Sequence, residues 1–266
     1  MFMPDRTGKV RPLRRAVVVS LAFLLLLILA AAPARAVVNG KPVTPGDAYA
    51  HAVVGVVPLD KYNRPGYCSG ILLTPRAVLT AAHCLTDAEN GVSVVFDLEI
   101  GEAHKVAVTR SAIHPDFRDD DEEGDKFSPG DIAVIFLAEH DYPTVIIPLD
   151  RDITFADGQQ FVVLGYGRSI ANRSRSAGVL RKAAIAATGY DTPREVEMKP
   201  LMDAWPCGGD SGGPILRKDM SGHYALSGIM NGVSAGPIGE CTFRNSYITP
   251  VHTYADWIKS TLASGN

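Results

Sequence analysis

The chain has 266 residues, of which 46% are hydrophobic and 21% are charged, and its formal net charge is −3. A chain of this length and apolar content can bury a large core, either as one structural unit or as two barrels. Its weak negative charge argues against nonspecific nucleic-acid binding, which depends on a basic surface.

The beginning of the chain has the order of features found in a secretory signal peptide. A basic stretch at 1–15 precedes an apolar stretch at 16–32, and Ala34 and Ala36 then place small residues at a cleavage site. We therefore predict a signal peptide at 1–36 and a secreted, extracellular domain at 37–266. Because residues 1–36 carry six Lys or Arg and one Asp, cleavage changes the net charge from −3 to −8. An uncleaved membrane anchor is the alternative, although the apolar stretch is slightly short for a membrane span.

Short runs rich in Val and Ile, bounded by Gly, Pro, Asn or Asp, predict β-strands along the chain. These runs are 52–57, 69–73, 92–96, 105–109, 132–137, 161–164, 179–187 and 225–230. No helical pattern alternates with them, which argues against a parallel α/β fold. Apolar residues at helical spacing follow Pro250 and predict a C-terminal helix. They are Val251, Tyr254, Trp257, Ile258 and Leu262.

Four cysteines lie at positions 68, 84, 207 and 241, all within the part predicted to be exported. An even number of cysteines in an oxidising compartment indicates disulfides. Four cysteines allow three pairings, and their spacing does not choose among them. A zinc site is the alternative, but the chain contains no Cys-x-x-Cys spacing.

The segment 207–214, Cys-Gly-Gly-Asp-Ser-Gly-Gly-Pro, places Ser211 among glycines and directly after Asp210. A serine hydroxyl is a poor nucleophile unless a base lies beside it and its target is polarised. Glycines allow a tight turn and leave backbone N–H groups free to face a developing oxyanion. His83, in Thr-Ala-Ala-His-Cys, is the candidate base, and Asp131, in Gly-Asp-Ile-Ala, is the candidate third partner.

These motifs, in the order His83, Asp131 and Ser211, resemble those of the chymotrypsin/trypsin-like serine protease family over residues 37–266. The resemblance implies an all-β fold of two six-stranded antiparallel barrels with a C-terminal helix and an active site in the cleft between the barrels. It also implies that His83 is the general base, that Asp131 orients it, and that Ser211 is the nucleophile. The backbone N–H groups of Gly209 and Ser211 then form the oxyanion hole, and neither a metal nor an organic cofactor is required.

The same resemblance implies disulfides Cys68–Cys84 and Cys207–Cys241. It further implies that the ammonium group of the mature N-terminus pairs with the carboxylate of Asp210 and so shapes the oxyanion hole. The segment 37–40, Val-Val-Asn-Gly, resembles the mature start of family members and directly follows the predicted signal cleavage site. We therefore predict that signal removal itself creates the activating N-terminus at Val37.

A second motif overlaps the serine segment. Residues 209–213 also fit the pattern G-x-S-x-G of the α/β-hydrolase nucleophile elbow. That fold requires an acid and then a histidine after the serine, within alternating strands and helices. Asp219 and His252 follow in that order, but no such alternation surrounds them.

The expected specificity pocket departs from the family pattern. Trp205 stands six residues before the serine, where members that cut after Arg or Lys have an aspartate. Asn231, Gly232 and Val233 stand where Ser-Trp-Gly is common; the Asn231 amide can still donate to Asp131, and Val233 narrows the pocket. Asn245 stands where a glycine commonly lines the pocket. We therefore predict a serine endopeptidase of non-tryptic specificity, with a secreted protease-fold binding protein of little turnover as the alternative.

The segment 119–125 is an acidic run in the loop before Asp131, which overhangs the cleft in this family. It could recognise basic substrate residues, bind calcium, or form a solvated charged loop. The expected partners are protein or peptide substrates and protein protease inhibitors. We expect a monomer that binds no nucleic acid and, after signal cleavage, no membrane.

Overall fold

The computed structural model describes residues 37–86, 88–101, 104–118, 129–171, 173–192, 194–233, 241 and 245–264. The predicted signal peptide at 1–36 and the acidic run at 119–125 lie outside these residues. None of the helices in the described ranges is long and apolar enough to pass through a lipid bilayer.

The first half of the domain is a closed antiparallel barrel. Its strands are β2 (Val53–Pro58), β3 (Cys68–Thr74), β4 (Ala77–Thr80), β5 (Val92–Val95), β6 (Lys105–Ile113) and β7 (Ala133–Leu137). They pair in the order β2-β3-β4-β7-β6-β5, and β5 pairs back with β2. A short helix, α1 (His83–Thr86), follows β4. Closure leaves this sheet without an exposed edge.

The second half is also a barrel. Its strands are β8 (Gln160–Gly165), β9 (Arg181–Asp191), β10 (Val196–Pro200), β11 (Pro214–Lys218), β12 (Tyr224–Val233) and β13 (Ser246–Pro250). They pair in the order β9-β10-β13-β12-β11-β8, and β8 closes the ring by pairing with β9. A two-residue strand near the beginning of the described chain, β1 (Lys41–Pro42), also pairs with β9.

Three short helices complete the second half. Residues Ser174–Ser176 and Val251–Tyr254 form 3₁₀ turns, and the second of these turns leads directly into α2 (Ala255–Ala263). Pro250 caps the beginning of this helical segment, where its missing N–H leaves no donor unpaired. The two six-stranded barrels and the C-terminal helix confirm the predicted fold.

Several strands, such as β2, have continuous apolar runs because both of their faces are buried. In β2, Val54 and Val56 belong to one apolar cluster, together with residues from the other strands of the first barrel. Their neighbours Val53 and Val57 join a second cluster, which also contains residues of the second barrel and of α2 such as Ile258. Since successive residues enter different apolar clusters, the usual alternation of polar and apolar residues is absent.

Both disulfides form as the resemblance implied. Cys68 at the start of β3 is bonded to Cys84 in α1, and Cys207 is bonded to Cys241, with sequence separations of 16 and 34 residues. Loops of this length correspond to about 3 kcal/mol of stabilisation each on the chain-entropy model.

The segment that connects the barrels is held by a charged cluster. Asp150 accepts two hydrogen bonds from Arg217, at 2.6 Å to Nε and 2.9 Å to Nη2, and a third at 3.0 Å from the hydroxyl of Ser227. The Asp150 side chain is 6% exposed, and the backbone N–H of Asp150 donates to the carbonyl of Leu226 in β12 at 2.8 Å. The connection is therefore fixed to the second barrel before β8 begins.

We predict that Asp150→Ala lowers the free energy of unfolding by about 2–3 kcal/mol, because it leaves a partly buried guanidinium and a buried hydroxyl without their acceptor. Asp157→Ala is the matched control, since Asp157 pairs with Lys199 at 3.1 Å but both side chains are well exposed. Its expected cost is below about 0.5 kcal/mol. Urea unfolding of the disulfide-intact chains measures both values, and equal losses would contradict the assignment.

Candidate active site

Strand pairing brings His83 and Asp131 together. His83 begins α1 three residues after the end of β4, and Asp131 lies two residues before β7. These strands are antiparallel neighbours, with Thr80 opposite Ala133, so the segments that extend them lie side by side. Two residues 48 positions apart in sequence thus meet at one end of the first barrel.

The imidazole of His83 is oriented by the carboxylate of Asp131. Nδ1 of His83 lies 2.8 Å from Oδ2, and the backbone N–H of His83 donates to Oδ1 at 2.9 Å. The Asp131 side chain is 2% exposed, whereas that of His83 is 35% exposed. Because the carboxylate can only accept, it places the ring proton on Nδ1 and leaves Nε2 as the basic nitrogen.

A glycine and a hydrogen-bond chain fix Asp131. Gly130 has a φ of +72°, and a Cβ there would lie 2.8 Å from the backbone nitrogen of Phe117. The backbone carbonyl of Asp131 accepts from the hydroxyl of Thr249 at 3.3 Å, and the amide of Asn231 donates to that hydroxyl at 3.3 Å. Asn231 therefore supports the aspartate indirectly, through Thr249.

The imidazole of His83 and the backbone carbonyl of Ser211 both lie near the first disulfide. Sγ of Cys84 lies 3.9 Å from Nε2 of His83 and 3.8 Å from the carbonyl oxygen of Ser211. That carbonyl accepts a hydrogen bond from the backbone N–H of Ser69 at 2.8 Å. The predicted base and nucleophile, which come from different barrels, thus approach the same sulfur atom.

The peptide between Gly208 and Gly209 is held by a hydrogen bond from the segment that follows β8. The carbonyl of Gly208 accepts from the N–H of Arg168 at 2.8 Å. Since C=O and N–H of a trans peptide point in opposite directions, the N–H of Gly209 faces the other way, away from Arg168. Gly209 has a φ of +97°, and a Cβ there would lie 2.8 Å from Cα of Gly167.

Ser69 contacts this turn with its side chain as well. Its hydroxyl donates to the carbonyl of Gly209 at 3.0 Å and accepts from the N–H of Tyr166 at 2.9 Å. Sequence analysis placed Ser69 in a strand and gave it no part in the site. A small polar residue next to a half-cystine is a weak signal, and only the tertiary contact reveals it.

Asp210 is buried beneath the serine turn. Its carboxylate is inaccessible to solvent and accepts from the N–H of Gly167 and from that of Cys207, each at 2.8 Å. Burial raises the pKa of Asp210 to about 7. Both hydrogen bonds oppose that rise, since they favour the charged form.

The segment that begins with Val37 is built into the second barrel. Val37 is fully buried among apolar residues of that barrel, including Ile153 and Phe155. Val38 and Trp205 form an isolated antiparallel β-bridge, in which the backbone N–H of Trp205 donates to the Val38 carbonyl at 3.1 Å. The predicted mature N-terminus thus lies in the buried interior of the second barrel.

The indole of Trp205, the residue predicted at the base of the pocket, is held by a hydrogen bond and by apolar packing. Nε1 of Trp205 donates to the carbonyl of Cys241 at 2.9 Å. The ring packs in a small cluster with Val38, the Cys207–Cys241 disulfide and Val233. Trp205 and Val233 therefore pack against the same buried cluster.

The other predicted pocket residues separate into two groups. Gly232 and Val233 line a cleft of about 580 Å³ beside Ser211. Asn245, which directly precedes β13, is exposed, and its amide donates to the carboxylate of Glu197 at 2.8 Å. Val233 is paired across the sheet with Ser246, which is buried, so Ser246 is the residue that lies opposite this wall.

A metal centre has little support in the part of the chain that the structure covers. Cys68, His83 and Cys84 form the one described group of three potential ligands, with their donor atoms within 4.8 Å of one another. Both sulfurs are bonded to each other, so neither offers a thiolate.

Comparison with known proteins identifies the family. A profile of the trypsin family matches residues 38–258. The chain is 26% identical over 231 residues to phenoloxidase-activating enzyme 1 of Spodoptera litura, covering 75% of this chain and 60% of that protein. It is 27% identical over 220 residues to kallikrein 1-related peptidase b24 of Mus musculus, covering 76% and 82% of the two chains.

A structural comparison supports the same architecture. The fold matches that of neuropsin, a serine protease from mouse brain, with a TM-score of 0.66 at 22% identity, over 85% of this chain and all of the other. At this identity the match supports the fold alone. The profile match over residues 38–258 shows that the chain belongs to the trypsin family of serine proteases.

Proposed function

We propose that the protein is a secreted serine endopeptidase that forms an acyl-enzyme on Ser211 and has non-tryptic specificity. The observation that carries this proposal is the buried Asp131 carboxylate, 2.8 Å from Nδ1 of His83, beside the serine turn. The leader-like sequence at 1–36 and the two disulfides support secretion into an oxidising compartment. Its substrates are proteins or peptides, and protein inhibitors of the same cleft are further expected partners.

The mechanism follows from the roles of the three side chains. Oγ of Ser211 attacks the scissile carbonyl carbon while its proton passes to Nε2 of His83. The oxyanion accepts hydrogen bonds from the N–H groups of Gly209 and Ser211. The imidazolium, stabilised by Asp131, then donates its proton to the leaving amine, and a water molecule repeats the sequence to release the acid.

The activity is tested by labelling with a fluorophosphonate, which reacts with activated serines. We expect the full chain, exported and processed by its host, to be labelled, and Ser211→Ala to remain unlabelled, because the substitution removes the nucleophilic oxygen. His83→Ala and Asp131→Asn should slow labelling by at least about a hundredfold.

A lack of labelling in folded protein whose N-terminus is Val37 would contradict this proposal. It would favour the second candidate, a secreted protease-fold binding protein with little turnover. The observation in favour of that candidate is Trp205, which packs against the wall of the expected pocket.

Trp205 also supports the proposed non-tryptic specificity. An indole offers no carboxylate to a cationic side chain, and its N–H is already bonded to the carbonyl of Cys241. The room left beside Val233 suits a small or shallowly bound side chain. We infer that the residue before the cut is small and uncharged.

We predict that Trp205→Ala raises kcat/KM by at least about tenfold for substrates with Leu or Phe before the cut, relative to those with Ala, because it vacates the pocket. Trp257→Ala is the matched control, since this second tryptophan packs on the core at the C-terminal helix. It should lower stability and leave the Phe-to-Ala ratio unchanged. An unaltered ratio in Trp205→Ala would rule out pocket filling.

We further propose that the ammonium of a mature chain starting at Val37 pairs with Asp210. Two observations support this: Val37 and Asp210 are both fully buried, and burial raises the pKa of Asp210 to about 7. A nearby cation would reverse that rise by favouring the carboxylate. In the full-length chain Ala36 precedes Val37, so its nitrogen is a peptide N–H and supplies no such charge.

The proposed pair predicts a difference in pH dependence between the full-length chain and a chain beginning at Val37. With a pKa of about 7 against an ordinary 3.8, the folded full-length chain retains a proton that the unfolded chain has released between these values. Its free energy of unfolding therefore falls as the pH rises through that window. The ammonium removes this loss, so the free energies of unfolding of the two chains should diverge progressively as the pH rises through this window.

Urea unfolding at several pH values between about 4 and about 7 measures this divergence. Asp210→Asn is the control and should give both chains the same pH profile. Parallel profiles in the unsubstituted chains would contradict the pairing.

A further inference from the structure

We propose that Ser69 is a positioning residue for the oxyanion hole, acting from the first barrel on the serine turn of the second. This inference rests on the proposed function, because it assigns a task to the N–H groups of Gly209 and Ser211. It concerns a residue that neither touches the substrate nor belongs to the catalytic triad.

Ser69 forms four hydrogen bonds, two of which reach the turn that carries Ser211. Its N–H donates to the Ser211 carbonyl at 2.8 Å, and its own carbonyl accepts from the hydroxyl of Thr80 at 2.8 Å. Its hydroxyl donates to the carbonyl of Gly209 at 3.0 Å and accepts from the N–H of Tyr166 at 2.9 Å. Two of these bonds hold the carbonyl groups on either side of Asp210.

The turn needs this external support because of its composition. Gly208, Gly209 and Gly212 surround the nucleophile, and glycine imposes little preference on φ and ψ. Gly209 already has a φ of +97°, a region from which glycine can leave at little cost. The direction of the Gly209 N–H therefore depends on what holds the peptides before and after it.

The two neighbouring peptides are held by different elements. The carbonyl of Gly208 is bonded to the N–H of Arg168, and that of Gly209 is bonded to the hydroxyl of Ser69. Arg168 and Tyr166 belong to the second barrel's own β8 loop, whereas Ser69 belongs to β3 of the first barrel. Ser69 thus also ties the oxyanion donor to the barrel that carries His83.

Removal of the hydroxyl should loosen this arrangement without changing the reacting groups. Ser69 is fully buried, so Ser69→Ala leaves the Gly209 carbonyl and the Tyr166 N–H without a partner in a site closed to solvent. Rotation of the glycine peptides is the change that lets these groups find other partners at the lowest cost in free energy. That rotation misdirects the Gly209 N–H, and the oxyanion loses part of its stabilisation while the ground-state substrate does not.

The test compares Ser69→Ala with Ser227→Ala in the full chain, exported and processed by its host. Ser227 is also fully buried, and its hydroxyl donates to Asp150 at 3.0 Å, away from the cleft. Both variants lose one buried hydroxyl, so effects of general destabilisation should be shared. Effects on the oxyanion hole should be confined to Ser69→Ala.

A peptide aldehyde and the matching peptide alcohol measure the hole directly, because only the aldehyde forms a tetrahedral oxyanion with Ser211. We expect Ser69→Ala to weaken aldehyde binding and lower kcat by about tenfold each. Alcohol binding and KM should change by less than about twofold. Parallel loss of aldehyde and alcohol binding, or no loss of either, would overturn the proposal.

Amide hydrogen exchange separates this inference from the proposed activity. Ser69→Ala should speed exchange in segment 208–212 by about tenfold, and Ser227→Ala should not, whether or not the protein turns over peptides. Unchanged exchange in this segment would overturn the role of Ser69. Failure of the wild-type chain to bind the aldehyde or react with a fluorophosphonate would instead count against the proposed protease activity.

Discussion

The buried carboxylate of Asp210 is the constraint on which the active-site turn depends. Removing a carboxylate from water is costly unless donors surround it, and here backbone N–H groups from two segments supply them. Gly167 must approach so closely that a Cβ at its position would lie 2.5 Å from the Asp210 nitrogen. The conformation of the turn around Ser211 therefore places backbone N–H groups around the Asp210 carboxylate, and its glycines allow the chain to adopt that conformation.

Much of the architecture could be predicted from the sequence because the apolar runs are strong local signals. All eight predicted strands exist within a few residues of their predicted bounds, and the C-terminal helix begins where Pro250 indicated. Strands β1, β4, β10, β11 and β13 lie outside the eight predicted runs. β4 and β11 are short and adjoin the His83 and Ser211 motifs, and β10 alternates polar and apolar residues.

Candidates for the triad could be named from the sequence for a different reason, since each member lies in a distinctive local motif. The pocket was harder to predict, because its walls are assembled by strand register. Val233 lies opposite Ser246, and bulges in the pairing of β12 with β13 shift the register. Asn245 precedes Ser246 and its amide donates to Glu197, a contact that counting along the sequence does not reveal. Long-range contacts such as that of Ser69 leave no trace in local sequence.

The bond between Cys68 and Cys84 has a consequence for where the protein can work. Cys84 directly follows His83 and lies within 3.9 Å of its Nε2, so this crosslink fastens the base's own turn to β3. In a thiol-rich compartment the crosslink would open, and α1, a single turn of four residues, would lose its covalent link to β3 and keep only noncovalent contacts such as the hydrogen bond from His83 to Asp131. An oxidising environment therefore favours an ordered turn around His83.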